Sequence, residues 1–405
     1  MSNVPDIRFK GFTDAWEQRE LGELAKVSMN KRIFKEQTST IGEIPFYKIG
    51  TFGKEPDSFI SKELFEEYKA KYPYPKKGDL LISASGSIGK IVEYNGENAY
   101  FQDSNIVWLD HGGRINNLFL KTFYSIVKWK GLEGSTIKRL YNSNILKTNI
   151  DIPNIKEQQK IGELFKDIDI AITLLQRELD LENKTIEMFM DNLFIQKEQN
   201  IPCFNLSENT SLWKSVKLKE IGDTFTGLSG KNKDDFGHGD AWYITYMNVF
   251  SNPISNFNDK EKIEIDFKQN EVKYGDIFFT TSSETPNEVG MSSVWLGDDA
   301  NIYLNSFCFG FRPKVELDPY FIAYLLRSKE VRMKISKLAQ GISRYNISKT
   351  KMMEIEINIP DIKTQNEVGR ILKELHEKKQ ITEKQIEKAK IIKKAFLQKL
   401  FPKGD

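Results

Sequence analysis

The chain repeats itself, and that limits its architecture more than any other feature. Trp16–Leu24 (Trp-Glu-Gln-Arg-Glu-Leu-Gly-Glu-Leu) returns as Trp213–Ile221, an offset of 197 (213 − 16). Gly78–Ser83 (Gly-Asp-Leu-Leu-Ile-Ser) returns as Gly275–Thr280 at the same 197. Ile152–Gln158 returns as Ile359–Gln365, and Phe189–Phe194 as Phe396–Phe401, both at 207. Segments recurring in one order over a long period mark a duplicated structural unit. The 405 residues therefore read as two copies of a unit of about 200, each a globular part followed by a helical part. The jump from 197 to 207 places an insertion of about ten residues in the second globular part.

Each globular part is expected to be mixed. Gly78–Ile82, Lys90–Tyr94 and Asn105–Leu109 are strand-like runs broken by Gly and Ser, matched in the second copy by Asp276–Thr280 and Ser293–Leu296. Leu118–Lys130 and Pro319–Lys337 read as helices near the end of each part. In the first helical part the apolar positions Ile161, Leu164, Ile168, Ala171, Leu175, Leu179, Ile186, Phe189 and Leu193 make a coiled-coil seam. The second seam runs Val368, Ile371, Leu375, Ile386, Ala389, Phe396, Leu400, with a more polar middle at Lys379 and Thr382. Pro153 and Pro360 mark where the helices begin. A helix of ~37 residues with one apolar stripe needs a partner, and the economical one is the other copy, packed antiparallel. The fold class expected is α+β: two mixed α/β globular domains separated by two long helices in an antiparallel coiled coil, a pseudo-twofold internal repeat. The boundaries are 1–152 and 200–359 for the globular domains, and 153–199 and 360–405 for the helical regions.

Much chemistry is excluded. With 59 Lys plus Arg against 57 Asp plus Glu, any nucleic-acid surface must be a local patch. Cys203 and Cys308 lie outside any Cys-x-x-Cys pair, which rules out a disulfide framework, speaks against a zinc site and fits a cytoplasmic home. Met1–Asp6 has no signal-peptide character, and no apolar run approaches the ~20 residues of a membrane span. No Asn-Pro-Pro-aromatic or Asp-Pro-Pro-aromatic methyl-transfer motif occurs; Asn252-Pro253-Ile254-Ser255 fails. Gly86-Ser87-Ile88-Gly89-Lys90 has the wrong spacing for a phosphate loop, so its glycines read as turn residues. His111, His238 and His376 share no spacing, and His376 is expected to be solvated on its helix. No catalytic, cofactor-binding or metal-ligating residue is assigned.

What remains is binding. Base edges are read by Arg, Lys, Asn and Gln, and phosphates by Lys, Arg, Ser, Thr and backbone N–H. Loops with that chemistry carry Lys31, Arg32, Lys54, Ser85, Ser87, Lys138, Arg139, Tyr141 and Asn142 in the first globular part. In the second they carry Lys231, Lys233, Ser282, Ser283, Arg344, Tyr345 and Asn346. These are the candidate contacts to double-stranded DNA.

Pro5–Phe12 followed by Trp16 and Leu21, Gly78–Ser83 leading to Gly86 and Gly89, and Gly134-Ser135-Thr136 with Arg139-Leu140, Ile150–Pro153 and Glu157–Ile161 together resemble the specificity subunits of type I restriction–modification systems. The resemblance covers essentially the whole chain, and the order of the motifs, twice over, carries it. It implies two target-recognition domains, each reading half of a split DNA site, and two conserved helices whose length sets the gap. It implies two modification subunits docked on those helices, joined by two restriction subunits in bacterial defence. It places S-adenosylmethionine, ATP and Mg on those partners and none in this chain. The second copy departs where Glu284–Glu288 replaces the glycine-rich turn and where Thr364 stands for Glu157. Two other readings stay open: a stand-alone methyltransferase or nuclease with a duplicated recognition domain, and a protein-binding adaptor.

Overall fold

A computed structural model describes residues 4–129, 139–195, 202–204 and 213–402. The chain divides into two compact units, Met1–Gln176 with Gln385–Asp405, and Arg177–Lys384. The first contains β1 (Glu17–Glu20), α1 (Leu21–Leu24), β2 (Lys26–Ser28), β3 (Ile44–Tyr47), β4 (Phe59–Ile60), α2 (Lys62–Lys71), β5 (Leu80–Ser83), β6 (Ile91–Glu93), β7 (Tyr100–Phe101), β8 (Ile106–Asp110), α3 (Asn117–Ile126), α4 (Asn142–Leu146), β9 (Asn149–Ile152) and the start of α5 (Ile155–Leu193). Its sheets are ordered β2-β8-β5-β6, β4-β3-β7 and β1-β9. Leu80–Ser83 is buried throughout, as an apolar run between turn residues should be when both faces of a strand are covered. Trp16, Phe119 and Phe401 pack ring on ring in the core beneath α3.

The second unit repeats this plan. It contains β10 (Lys214–Lys217), α6 (Leu218–Ile221), β11 (Gly222–Thr226), β12 (Phe236–Ile244), α7 (Tyr246–Ser251), β13 (Lys260–Ile263), β14 (Ile277–Thr280), β15 (Ser282–Ser283), β16 (Ser292–Val294), β17 (Ile302–Leu304), β18 (Cys308–Pro313), α8 (Pro319–Leu325), α9 (Lys329–Ser336), β19 (Tyr345–Asn346), α10 (Lys349–Met353), β20 (Glu356–Ile359) and the start of α11 (Ile362–Leu400). The sheets β11-β18-β14-β16, β13-β12-β17 and β10-β20 match the first unit strand for strand, and a short fourth sheet pairs β15 with β19.

The offset shows where the extra residues sit. It is 197 at β5 and β14 (277 − 80), 202 at α3 and α8 (319 − 117), and 207 at α4 and α10 (349 − 142). The insertion is thus split, half of it falling between β14 and α8 and half between α8 and α10. A single helix over Pro319–Lys337 was the expectation; the structure breaks it at Leu326–Ser328. Arg327 is the reason, because its buried guanidinium turns inward to donate to the carbonyls of Val249, Phe250, Asn252 and Ser292.

The repeated motifs prove to be joints. Gly78 and Gly275 take positive φ (92° and 81°), and the carboxylates of Asp79 and Asp276 each accept from a backbone N–H three residues back, at 2.7 Å. Asn154 and Asp361 cap the two long helices by accepting from the N–H of Glu157 and Thr364, both at 3.0 Å. Gln158 donates to Pro153 O and accepts from Asn116 N–H at the cap of α3; Gln365 does the same with Pro360 O and Asp318 N–H at the cap of α8. Where Thr364 replaces Glu157, a buried bidentate pair with Arg8 (2.6 and 2.9 Å) gives way to a short local bond to Asp361.

The helices pair antiparallel. In the first unit Phe165 lies against Phe401 and Asp169 bonds Lys393 at 2.6 Å. In the second Thr382 donates to Glu182 at 3.1 Å, while Ile186 and Leu193 share a core with Leu372 and Val368. Thr382, in the polar middle of the second seam, is therefore an internal contact, while Lys379 pairs with Glu383 on its own helix. His376, expected in solvent, is buried there between Tyr320 and Tyr324; the imidazole lies in the seam because it follows Leu372 by one turn. Ala171, expected in the seam, is exposed.

Candidate nucleic-acid interface

Strand register gathers the candidate loops. In the first unit Ser28 pairs with Trp108, Ser83 with Ile106 and Ile82 with Ile91. The segments after β2, between β5 and β6, and before β8 consequently leave from one end of the four-stranded sheet. They carry Lys31 and Arg32, Ser85 and Ser87, and Ser104 and Asn105. Arg139 joins them through an antiparallel bridge to Ser85, with Leu140 N–H donating to Ala84 O at 2.8 Å.

The side chains form a connected group. Ser85 Oγ donates to Asn105 Oδ1 at 2.8 Å, and Arg139 Nη2 donates to Ser104 O at 3.1 Å while its guanidinium lies over the Tyr141 ring. Tyr141 and Asn142 are exposed at the start of α4. Ser83 Oγ bonds Ser87 O and accepts from Lys90 N–H, which fixes the turn where Gly86 takes φ +65° and presents Ser87 outward. The loop holding Lys54 lies beside that turn: Ile49 faces Gly86, and Lys90 Nζ donates to Phe52 O. Lys31 and Arg32 sit over the rings of Tyr72 and Phe34. Lys138 lies outside the described residues.

The second unit builds the same end by the same register, Thr226 with Phe309, Thr280 with Cys308 and Phe279 with Ser292. Ser282 pairs with Asn346 and Ser283 with Tyr345, the counterpart of the bridge between Ser85 and Arg139. Phe307 O accepts from both N–H and Oγ1 of Thr281, and Thr281 O accepts from Ile347 N–H. Gln340 and Asn346 exchange two backbone hydrogen bonds (3.0 and 2.8 Å), closing a hairpin that carries Arg344.

Not every candidate keeps its chemistry available. Lys231 is bound to Asp266 at 2.8 Å; that bond holds the ammonium pKa above its ordinary value and the carboxyl below the usual carboxylate range. Lys233, exposed beside it, is the cation that loop presents. Ser282 and Ser283 are buried, and their place is to carry Tyr345 and Asn346. Arg332 binds the carbonyls of Asn287, Val289 and Gly290 and so shapes the turn that replaces the glycines. Sequence reasoning missed Asn105, Phe307 and Ile342, which reach the site through strand register and hairpin closure, signals that lie outside local composition. Among the described residues no group of three or more His, Cys, Asp or Glu could hold a metal ion, and no helix is long and apolar enough to cross a membrane.

Residues 13–183 and 210–390 both match the family model described as the type I restriction modification DNA specificity domain. The chain belongs to that family. A type I restriction enzyme specificity subunit of Haemophilus influenzae is 61% identical over 163 residues, 40% of this chain and 42% of that protein. One from Methanocaldococcus jannaschii is 25% identical over 93% of this chain and 91% of its own length. The crystal structure of the type I restriction–modification S subunit from M. genitalium has the same fold, with a TM-score of 0.63 at 16% identity, covering 99% of this chain and 100% of that one. The two specificity domains thus account for the duplicated sheets, and the joints at Gln158 and Gln365 lie inside the two matched segments.

Proposed function

We propose that this chain is the target-reading subunit of a type I restriction–modification complex, acting in the cytoplasm without a catalytic group of its own. Each specificity domain reads one half of a split DNA target with the loops at the end of its four-stranded sheet. The observation that carries this is a site built twice on one frame and differing where it would touch DNA. Arg139 in one copy is Asn346 in the other, and the Gly86–Gly89 turn is replaced by Glu284–Glu288. One frame with different tips suits two half-sites of different sequence.

The long helices set the gap and offer partners a surface. Ile170, Leu174, Leu181 and Met188 on α5, and Ile381 and Ile391 on α11, are exposed apolar side chains at helical spacings. Such positions suit two modification subunits, which bring S-adenosylmethionine; two restriction subunits with ATP and Mg complete the complex. The test is binding of duplex DNA by the chain assembled with its modification subunits over a salt series, with methylome sequencing of a host that carries them. A steep loss of affinity with salt and a bipartite methylated motif are expected. Methyl transfer by the chain alone would revive the stand-alone enzyme, and salt-independent absence of DNA binding the adaptor.

A further inference from the structure

The hairpin Gln340–Asn346 raises one apolar side chain at a DNA-reading surface. Ile342 is 97% exposed. A single exposed aliphatic residue is ordinary, but this one is held in place from four directions. Gln340 and Asn346 close the hairpin by reciprocal backbone bonds. Gly341 takes φ +139° and packs so tightly on Arg344 O that a Cβ there would collide with it. Tyr345 and Asn346 pair with the buried Ser283 and Ser282, and Ile347 N–H donates to Thr281 O at 2.9 Å. Backbone bonds pin both ends of the loop, which lowers the entropic cost of using its tip. Arg344 and Asn346 flank it, both exposed, and Phe307, 56% exposed, stands in the turn before β18 with its carbonyl bonded to Thr281.

The side chain of isoleucine cannot hydrogen-bond to a base edge or a phosphate. The major groove is wide enough for a two-stranded ribbon, and its apolar feature is the thymine C5-methyl. Resting on the DNA-reading assignment above, we propose that this hairpin enters the major groove of one half-site and that Ile342 determines specificity there by packing on a thymine methyl.

The complex of the full chain with its modification subunits is tested on duplexes of its methylome-defined target, each thymine of both halves replaced in turn by deoxyuridine. At one position, the uridine duplex should bind about fourfold more weakly to the unsubstituted complex, the worth of one buried methyl group. Ile342→Ala should bind the thymine duplex more weakly by a similar factor and no longer distinguish thymine from uridine at that position. Its reading of the other half should be unchanged, which also reports that the variant is folded. If the unsubstituted complex binds its target specifically but Ile342→Ala distinguishes thymine from uridine everywhere as it does, the hairpin contact is wrong and the DNA-reading assignment stands. Absence of sequence-specific binding by the unsubstituted complex removes the underlying assignment instead.

Discussion

His376 is buried in the second unit, hydrogen-bonded to Tyr324 and Gln380. Burial, and to a lesser extent the charge of Lys379, push its pKa down to about 4 from an ordinary 6.5. The folded imidazole therefore refuses a proton that the unfolded one accepts as pH falls through 6.5. Stability contributed by the neutral ring is complete above about 6.5 and is lost progressively down to about pH 4, on the order of 3 kcal/mol. Urea denaturation at several pH values should show this slope, and His376→Gln should flatten it. A second residue test concerns Arg8, whose two bonds to Glu157 neutralise a carboxylate only 1% exposed. Arg8→Ala strands that charge, and unfolding should become easier by about 3 kcal/mol. Arg8→Lys should recover only part of the loss, because an ammonium cannot reproduce the two parallel bonds. Neither role is legible in sequence: Arg8 and Glu157 are 149 positions apart, and a histidine on a polar helix has the composition of a solvated one.

At the scale of the element, the periodicities of α5 and α11 and the repeated Gly-Asp and Pro-x-Ile-Lys-x-Gln motifs were readable because their cause is local. A turn needs its glycine, and a helix start needs its cap. The two-residue strands β15 and β19 were not readable, since their pairing joins residues over sixty apart and no window of sequence holds both. Gly162 and Gly369 escaped for a related reason. Each sits inside a long helix, where glycine costs ~1 kcal/mol against alanine. The compensation is close packing on another element. A Cβ on Gly162 would lie 2.5 Å from Leu118 Cβ and 2.7 Å from Phe119 N, and one on Gly369 would collide with the Asp318 carboxylate that caps α8. On an exposed helix, glycine to alanine would stabilise. Here the clash is with the backbone of α3, which cannot move aside cheaply, and overpacking of that kind costs ~1–3 kcal/mol. Gly162→Ala should therefore lower the melting temperature of the chain; a rise would mean that the joint between α3 and α5 is looser than its geometry.

For the molecule as a whole, α5 and α11 are each 39 residues, or ~58 Å of helix. The boundary between the compact units falls within both, after Gln176 and after Lys384. Each unit thus owns one half of each helix and its own set of pairings, Asp169 with Lys393 in the first and Glu182 with Thr382 in the second. Seven residues inserted at both boundaries leave both sets intact and keep the apolar seam near its face, since a heptad drifts only ~20°. The same insertion in one helix alone forces one set of pairings to slip and should cost stability. The double insertion adds ~10 Å, close to three base pairs of duplex at ~3.4 Å each. Three base pairs also turn the duplex by about a quarter to a third of its helical repeat, a rotation that the ~20° drift of a heptad does not supply, so the longer complex must twist to meet the second half-site. Methylome sequencing of a host carrying the doubly inserted chain should report a target with both half-sites unaltered and a gap longer by roughly two to four base pairs. Altered half-site bases would place sequence reading in the helices, and an unchanged gap with methylation retained would mean that something other than their length fixes the distance.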